Sequence, residues 1–421
     1  MQSPMFRKID SRLWPLLIFA LARNQFAADD AANSVSAGWR GDGSGVYPAA
    51  VLPGEWNDTK NVLWRVTVGN ASSSPAIAAG RVFVTSEPSK IVCVNLNDGA
   101  IRWKASLTAD DAPAEFKARA AASAAAATSC GYAAPTPVSD GTNVFCVFGS
   151  GLIGCYSNDG IRKWVRYFEP AAETYGHSSS PLLIDGKLLV NVHHLVALDA
   201  GSGKTLWECP DAEHTYGTPA RVDAGGTKVV VTPLGKVVRV GDGRVLAKDI
   251  APELGGSEYG ISPVACGDVV YLGDRALTAV KLSLEGGDVR AKKLWTANLD
   301  VISYASPVVW DGMLFFVGKN AECFVLDLKS GKTLLDRELK IGHPGVDDPE
   351  LSSANLYPSL VVAGGTLLVG NDRGQIFVYK ASKDLTEIAQ NRMTEGSGAT
   401  PAIVESSVII RSGGSLCRIG K

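Results

Sequence analysis

The chain has 421 residues, 46% hydrophobic and 20% charged, with 41 Lys and Arg balanced by 43 Asp and Glu. That balance leaves no basic footprint for nucleic acid or an anionic membrane, and the composition excludes a disordered or collagen-like chain. The 45 Gly and 21 Pro favour short strands joined by turns over helices.

At the N-terminus, Arg7, Lys8 and Arg12 flank an apolar stretch, Leu13 to Ala22, that is too short to span a bilayer. Ala20-Leu21-Ala22 has the small-x-small form of a cleavage site, and the Ala27-Ala28 region is a second candidate. Residues 1–28 are therefore expected to be a signal peptide, and the protein to be exported to the periplasm or outside the cell. No Cys closes the stretch, so a bacterial lipoprotein anchor is not expected, and no transmembrane segment is expected in the mature chain. Residues 29–60 read as an extended N-terminal arm. Its Gly/Pro-rich part, Gly38 to Trp56, is expected to pack on the ring described next. It contains Arg40-Gly41-Asp42, a match to an adhesion tripeptide that is too short to be more than coincidence.

From residue 61 the chain repeats. The run Ala197-Leu198-Asp199-Ala200-Gly201-Ser202-Gly203-Lys204-Thr205-Leu206-Trp207 is the clearest copy of a strand, a tight Asp/Gly/Ser turn and a second strand ending in Trp. Weaker copies are Asn95 to Trp103, Ser157 to Trp164 and Leu326 to Leu334. A unit recurring at a fixed period must be parsed as an array before any site is sought. Each unit opens on a proline: Pro75, Pro137, Pro181, Pro219, Pro263, Pro307, Pro358 or Pro401. An apolar strand and a hairpin signal such as Asp185-Gly186 or Asp311-Gly312 follow. This predicts four antiparallel strands per unit and eight units.

After Pro401 only three strands follow, while residues 61–69 (Asn61-Val62-Leu63-Trp64-Arg65-Val66-Thr67-Val68-Gly69) resemble a fourth strand, including its Trp. Pairing that segment onto the last unit would remove an exposed sheet edge. The expected fold is an all-β, eight-bladed β-propeller over residues 61–421, closed by an N-terminal strand on the C-terminal blade. Trp64, Trp103, Trp164, Trp207 and Trp295 fall on outer strands and are expected to seal neighbouring blades. Units four, six and seven carry Leu246, Leu335 and Ile388 near that place.

Residues 105–130 form an Ala-rich insertion with helical propensity, expected to cap a face or edge of the ring. The eight Cys form no CxxC pair and no cluster with His, so zinc is not expected. Cys146 and Cys155 flank a turn centred on Ser150-Gly151. A two-residue turn would place them opposite each other, either as a cross-strand disulfide or as two packed thiols.

A Tyr recurs just before the first strand of many units. Tyr132, Tyr216 and Tyr304 show this most clearly, and Tyr175, Tyr259 and Tyr357 hold similar places. In a propeller these crossings gather at one mouth of the central channel. The Tyr side chains would form either an aromatic collar for a ligand or interblade packing. His177, His214, Glu173, Glu213 and Glu258 lie in the same crossings. A metal role for His177 and His214 is not expected, since they sit on different crossings without a third His.

The repeats resemble the pyrroloquinoline-quinone-type propeller repeats of bacteria, with the Ala197–Trp207 run matching that pattern most closely. Gly38-Trp39-Arg40-Gly41 followed by Gly43-x-Gly45 resembles the leader of non-enzymatic members. Two branches are implied: quinoprotein dehydrogenases, which hold the quinone and calcium over the propeller centre, and the BamB-type assembly factor, which binds partners without chemistry. The dehydrogenase branch implies adjacent cysteines beside the quinone, and this chain has no Cys-Cys pair. Glu173, Glu213, Glu258 and Asp347-Asp348 are too scattered to read as a calcium site. The expectation is a monomeric, non-catalytic binding or scaffolding module for an envelope protein or glycan, without cofactor. The alternative is a quinone-dependent oxidoreductase, or a relative of one, with pyrroloquinoline quinone and calcium.

Overall fold

The computed structural model describes residues 37–126, 128–172, 175–252, 261–273, 275–339 and 354–421. The expected signal peptide, residues 29–36 of the arm, Glu173, Glu258, Tyr259 and Asp347-Asp348 lie outside the described residues.

Eight sheets form the blades of a propeller. Blade 1 contains Ala76–Ala78, Arg81–Ser86, Lys90–Asn95 and Ile101–Ser106, from the inner strand outward. Blades 2 to 7 begin on inner strands Val138–Ser139, Leu182–Ile184, Ala220–Ala224, Val264–Cys266, Val308–Trp310 and Val361–Ala363. Blade 8 takes three strands from the C-terminus (Ala402–Val404, Ser407–Ser412, Ser415–Ile419) and its outer strand, Val62–Thr67, from the N-terminus. The closing register is antiparallel and sets Arg65 opposite Cys417 and Val66 opposite Leu416.

The core is divided among the blades. Eight apolar clusters each draw on two adjacent blades, and one of them joins blade 8 to blade 1 through Trp64, Ile409, Leu416, Val82 and Val92. The five Trp act where the sequence places them. Trp64, Trp103, Trp164, Trp207 and Trp295 donate Nε1–H to the carbonyls of Leu96, Asn158, Ala200, Val240 and Leu328, each in the turn of the next blade. The same indoles cover the turn glycines Gly99, Gly160, Gly203, Gly243 and Gly331.

Leu246 and Ile388 are one residue away from the Trp position. Both are bulge residues, and Ala247 opposite Val237 and Ala389 opposite Val378 hold that place instead. Leu335, opposite Val325, holds it in blade 6.

The cysteine pairing also differs from expectation. Gly151 N–H donates to Phe148 O and Phe148 N–H to Leu152 O, which shifts the register. Cys146 then faces Gly154, and Cys155 faces Phe145. Pairing partners offset by one residue point to opposite faces. Cys146 packs between blades 1 and 2, Cys155 packs between blades 2 and 3, and both are free thiols.

The insertion contains 3-10 turns at Ala109–Asp111 and Ala114–Phe116 and a helix, α1, at Lys117–Ala125. It caps blades 1 and 2: Ala120 is fully buried, Phe116 packs on Tyr167, and Ser123 bonds the Tyr167 hydroxyl.

The arm does more than pack on the ring. Ala37 bridges to Ser139 of the blade 2 inner strand. The chain turns through Gly38–Gly45, and Val46–Tyr47 then pairs in parallel with Val362 and Ala363 of blade 7. Residues 37–47 therefore form a hairpin that fills the central channel. At its tip Arg40, 2% exposed, donates through Nη2 to the carbonyls of Ser44, Pro307 and Leu360. Gly45 is required here: its φ is +74°, and a Cβ would collide with the Arg40 guanidinium. Arg40 is buried while Asp42 stays exposed, so the Arg-Gly-Asp tripeptide does not present its arginine at the surface. Beyond the hairpin, Trp56 packs between blades 7 and 8, and Asn391 Oδ1 accepts its backbone N–H at 2.7 Å.

Candidate functional site: the mouth of the channel

Strand order places two kinds of loop on opposite faces. The Asp/Gly/Ser turns of the repeat lie on one face, and the crossings between blades lie on the other. The repeat motif is therefore remote from the crossing mouth, where a cavity of about 490 Å³ opens. The indole of Trp39, from the channel hairpin, lines its floor, so the cavity is a blind cup.

A ring of hydroxyl side chains encircles the cup: Ser74, Thr136, Ser180, Thr218, Ser262, Ser306, Ser359 and Thr400. Each lies two residues before the inner strand of its blade. The backbone N–H of Ser74 donates to Thr136 Oγ1 at 3.0 Å, Thr136 to Ser180 Oγ at 3.0 Å, Ser180 to Thr218 Oγ1 at 2.9 Å, and Thr218 to Ser262 Oγ at 2.8 Å. The ring continues from Ser306 to Ser359 at 3.0 Å, from Ser359 to Thr400 at 2.9 Å, and from Thr400 back to Ser74 at 3.0 Å. Each ring oxygen that accepts such a bond keeps its own O–H as a donor. Among the described residues none of these hydroxyls donates to a protein acceptor.

This ring was missed in the sequence, although its signal was there. A Ser or Thr directly precedes Pro75, Pro137, Pro181, Pro219, Pro263, Pro307 and Pro401. In blade 7 the order is Pro358-Ser359-Leu360, so Leu360 stands where other blades have proline. Its N–H is free to donate to Ser306 O at 3.3 Å.

Four of the six tyrosines line the cup: Tyr175, Tyr216, Tyr304 and Tyr357. Tyr304 and Tyr357 stack with centroids 5.0 Å apart and planes at 20°. Tyr175 and Tyr216 meet edge-to-face at 6.0 Å. Tyr175 and Tyr357 are about half exposed at the rim, and burial beside Tyr304 and Asp372 raises the Tyr357 hydroxyl above its usual range.

Tyr132 is not in the cup. It lies four residues before Thr136, whereas Tyr216, Tyr304 and Tyr357 lie two before their ring residues. Its hydroxyl donates to the Ala126 carbonyl, and its backbone N–H donates to Glu87 Oε2. Tyr259 is outside the described residues.

His177 and His214 are brought together, with ring centroids 4.4 Å apart, but neither lines the cup. His214 Nδ1 is 2.8 Å from Asn191 O, and its ring packs edge-on to Tyr216. Burial and the neighbouring His177 push its pKa down to about 4. Among the described residues no group of three or more His, Cys, Asp and Glu is placed to hold a metal ion. The insertion contributes Ser129 and Cys130 to the cup wall, and Cys130 N–H holds the Tyr175 carbonyl at 3.1 Å.

Eight four-stranded blades carrying the Asp/Gly/Ser turn and the outer-strand Trp define a propeller of the pyrroloquinoline-quinone-type repeat class. A family model described as outer membrane protein assembly factor BamB matches residues 56–289, more than half of the chain, and the protein belongs to this family. No curated protein matches. Among solved structures, BamB from Moraxella catarrhalis is 13% identical with a TM-score of 0.61, covering 86% of this chain and 99% of that one. The computationally designed Ika8 protein is 12% identical with a TM-score of 0.53, covering 84% and 99%. A quinohemoprotein alcohol dehydrogenase from Pseudomonas putida HK5 has a TM-score of only 0.45 at 12% identity, covering 88% and 80%. The first two likenesses establish the fold.

The described lining does not offer what pyrroloquinoline quinone needs. Pyrroloquinoline quinone is a tricarboxylate bound with calcium, so it needs cationic partners and several converging oxygen ligands. The described lining has no Lys or Arg and a single carboxylate, Asp372. Asn355 N–H donates to that carboxylate at 2.9 Å.

Proposed function

We propose that this protein is a non-catalytic binding or scaffolding module, exported to the cell envelope or beyond, whose protein or glycan partner engages the cup at the crossing mouth. The observation that carries this reading is the cup itself: paired tyrosine rings over a hydroxyl ring, with the channel closed beneath by the chain's own Trp39. Rigid aromatic area with polar tips is the usual material of a recognition surface. The family description, an outer membrane assembly factor, supports a partner-binding role in the envelope. No helix among the described residues is long and apolar enough to cross a membrane.

The test is capture of partners from the native envelope with wild-type protein and with the double variant Tyr216→Ala, Tyr304→Ala. Loss of the captured partners with an unchanged melting curve is expected. Identical capture by both proteins would overturn the role of the mouth. Pyrroloquinoline quinone with calcium is expected to produce no spectral change, thermal shift or dye reduction. Dye reduction would replace this reading with the oxidoreductase.

A further inference from the structure

We propose that the group received by the cup is a neutral saccharide, such as the end of an uncharged glycan. This rests on the binding role above and specifies its ligand.

Charge narrows the choice first. The described lining has no Lys, Arg or His, so an anion would enter without a counter-charge. A cation fares no better. The Arg40 guanidinium lies 5.2 Å from the centroid of the Trp39 ring, which puts a buried positive charge against the floor. The one carboxylate of the described lining, Asp372, already accepts from Asn355. A neutral ligand is the class that neither arrangement penalises.

Hydrogen-bonding capacity narrows it further. The ring hydroxyls have spent lone pairs on backbone N–H groups and retain O–H donors without protein acceptors among the described residues. A ligand must supply acceptors to a circle of donors, and it must also donate to the remaining lone pairs of Asp372. Sugar hydroxyls do both. A peptide backbone supplies fewer such groups per unit volume, and its apolar side chains would leave the ring hydroxyls unpaired.

Shape completes the case. The stacked pair Tyr304 and Tyr357 and the edge-on pair Tyr175 and Tyr216 stand above the hydroxyl ring. The flat C–H faces of a pyranose can pack on such rings while its equatorial hydroxyls reach outward. The volume of about 490 Å³ is that of a small-ligand site and suits one or two sugar rings.

The test titrates the full mature protein with neutral trisaccharides (maltotriose, cellotriose, triacetylchitotriose), with trigalacturonic acid as the anionic probe and chitosan trimer as the cationic probe. Binding is followed by calorimetry and saturation-transfer NMR. At least one neutral trisaccharide is expected to bind. Tyr304→Ala and Tyr357→Ala are each expected to weaken it about tenfold or more, while Tyr357→Phe keeps most of the affinity. Tyr357 is half exposed, so its variants should fold, and thermal unfolding checks this. Three results would overturn the proposal: no neutral sugar binding up to about 10 mM, preference for a charged trimer, or binding unchanged by the Tyr304 and Tyr357 variants. If sugars fail while envelope capture is still lost on Tyr216→Ala, Tyr304→Ala, the saccharide assignment falls and the binding role stands.

Discussion

Trp164 lies on Gly203: its indole Cδ2 is 2.6 Å from the point where a Cβ on that glycine would sit, and its Nε1–H reaches Ala200 O at 2.9 Å in the same turn. The glycine of the repeat motif in blade 3 is thus the seat for the tryptophan of blade 2. Gly203→Ala is expected to cost about 2–4 kcal/mol, from a left-handed backbone (φ +69°) and displacement of the indole. Gly186→Ala is the control. It has a similar φ of +71° but open space around it, so it should cost only about 1–2 kcal/mol. Denaturant unfolding of both variants isolates the indole contact as the difference, and equal losses would refute the seat.

Arg40 closes the channel from within. Arg40→Ala would leave the carbonyls of Pro307 and Leu360 without their donor at the centre of the ring. A loss of about 2–4 kcal/mol is expected. Faster hydrogen exchange should appear along the inner strands of blades 6 and 7 and in residues 46–47. A melting temperature within a degree or so of wild type would show that the hairpin is only laid into the channel and contributes no closure.

The blade architecture was legible because it repeats. The turn, the Trp and the hairpin signal recur, and a missing last strand points to Val62–Thr67 by elimination. The channel hairpin was not legible, because it occurs once and its decisive bonds join Arg40 to Pro307 and Leu360 across most of the chain. The tyrosine collar was half legible. Proximity to a proline pointed to Tyr216 and Tyr304, which do line the mouth, but it misplaced Tyr132 because Pro135 is not the proline that opens blade 2. The hydroxyl ring is written directly before every opening proline except in blade 7, where Ser359 follows Pro358. Its meaning depends on bonds between blades that a single repeat cannot display. Cys146 and Cys155 were misjudged by one residue of register, which in a strand decides the face.

Thr218 tests the ring as structure. Its Oγ1 accepts Ser180 N–H at 2.9 Å, and its own N–H donates to Ser262 Oγ. Thr218→Val keeps the volume but leaves the Ser180 N–H unpaired, and about 1–3 kcal/mol of stability should be lost. Thr218→Ser should remain close to wild type. Equal stability of the Val and Ser variants, by equilibrium denaturation, would mean that water serves the ring as well as the hydroxyl does.

His214 makes stability depend on pH. The groups facing it are His177, His193, the Asn191 carbonyl and Tyr216, and none of them carries a negative charge at neutral pH. Burial and the neighbouring His177 hold its pKa down to about 4, against an ordinary histidine value of 6.5. Between those values the unfolded chain binds the proton more readily than the folded one, so stability rises with pH. The contribution is fully present above pH 6.5 and is lost as pH falls toward 4, with a total of about 3 kcal/mol. In His214→Gln the side chain no longer titrates. Its stability at neutral pH should be lower, because the fit against Asn191 and Tyr216 changes, but its decline between pH 7 and 4 should be shallower than that of the wild type. Urea unfolding at a series of pH values measures both slopes. Parallel curves would place the acid sensitivity elsewhere in the ring.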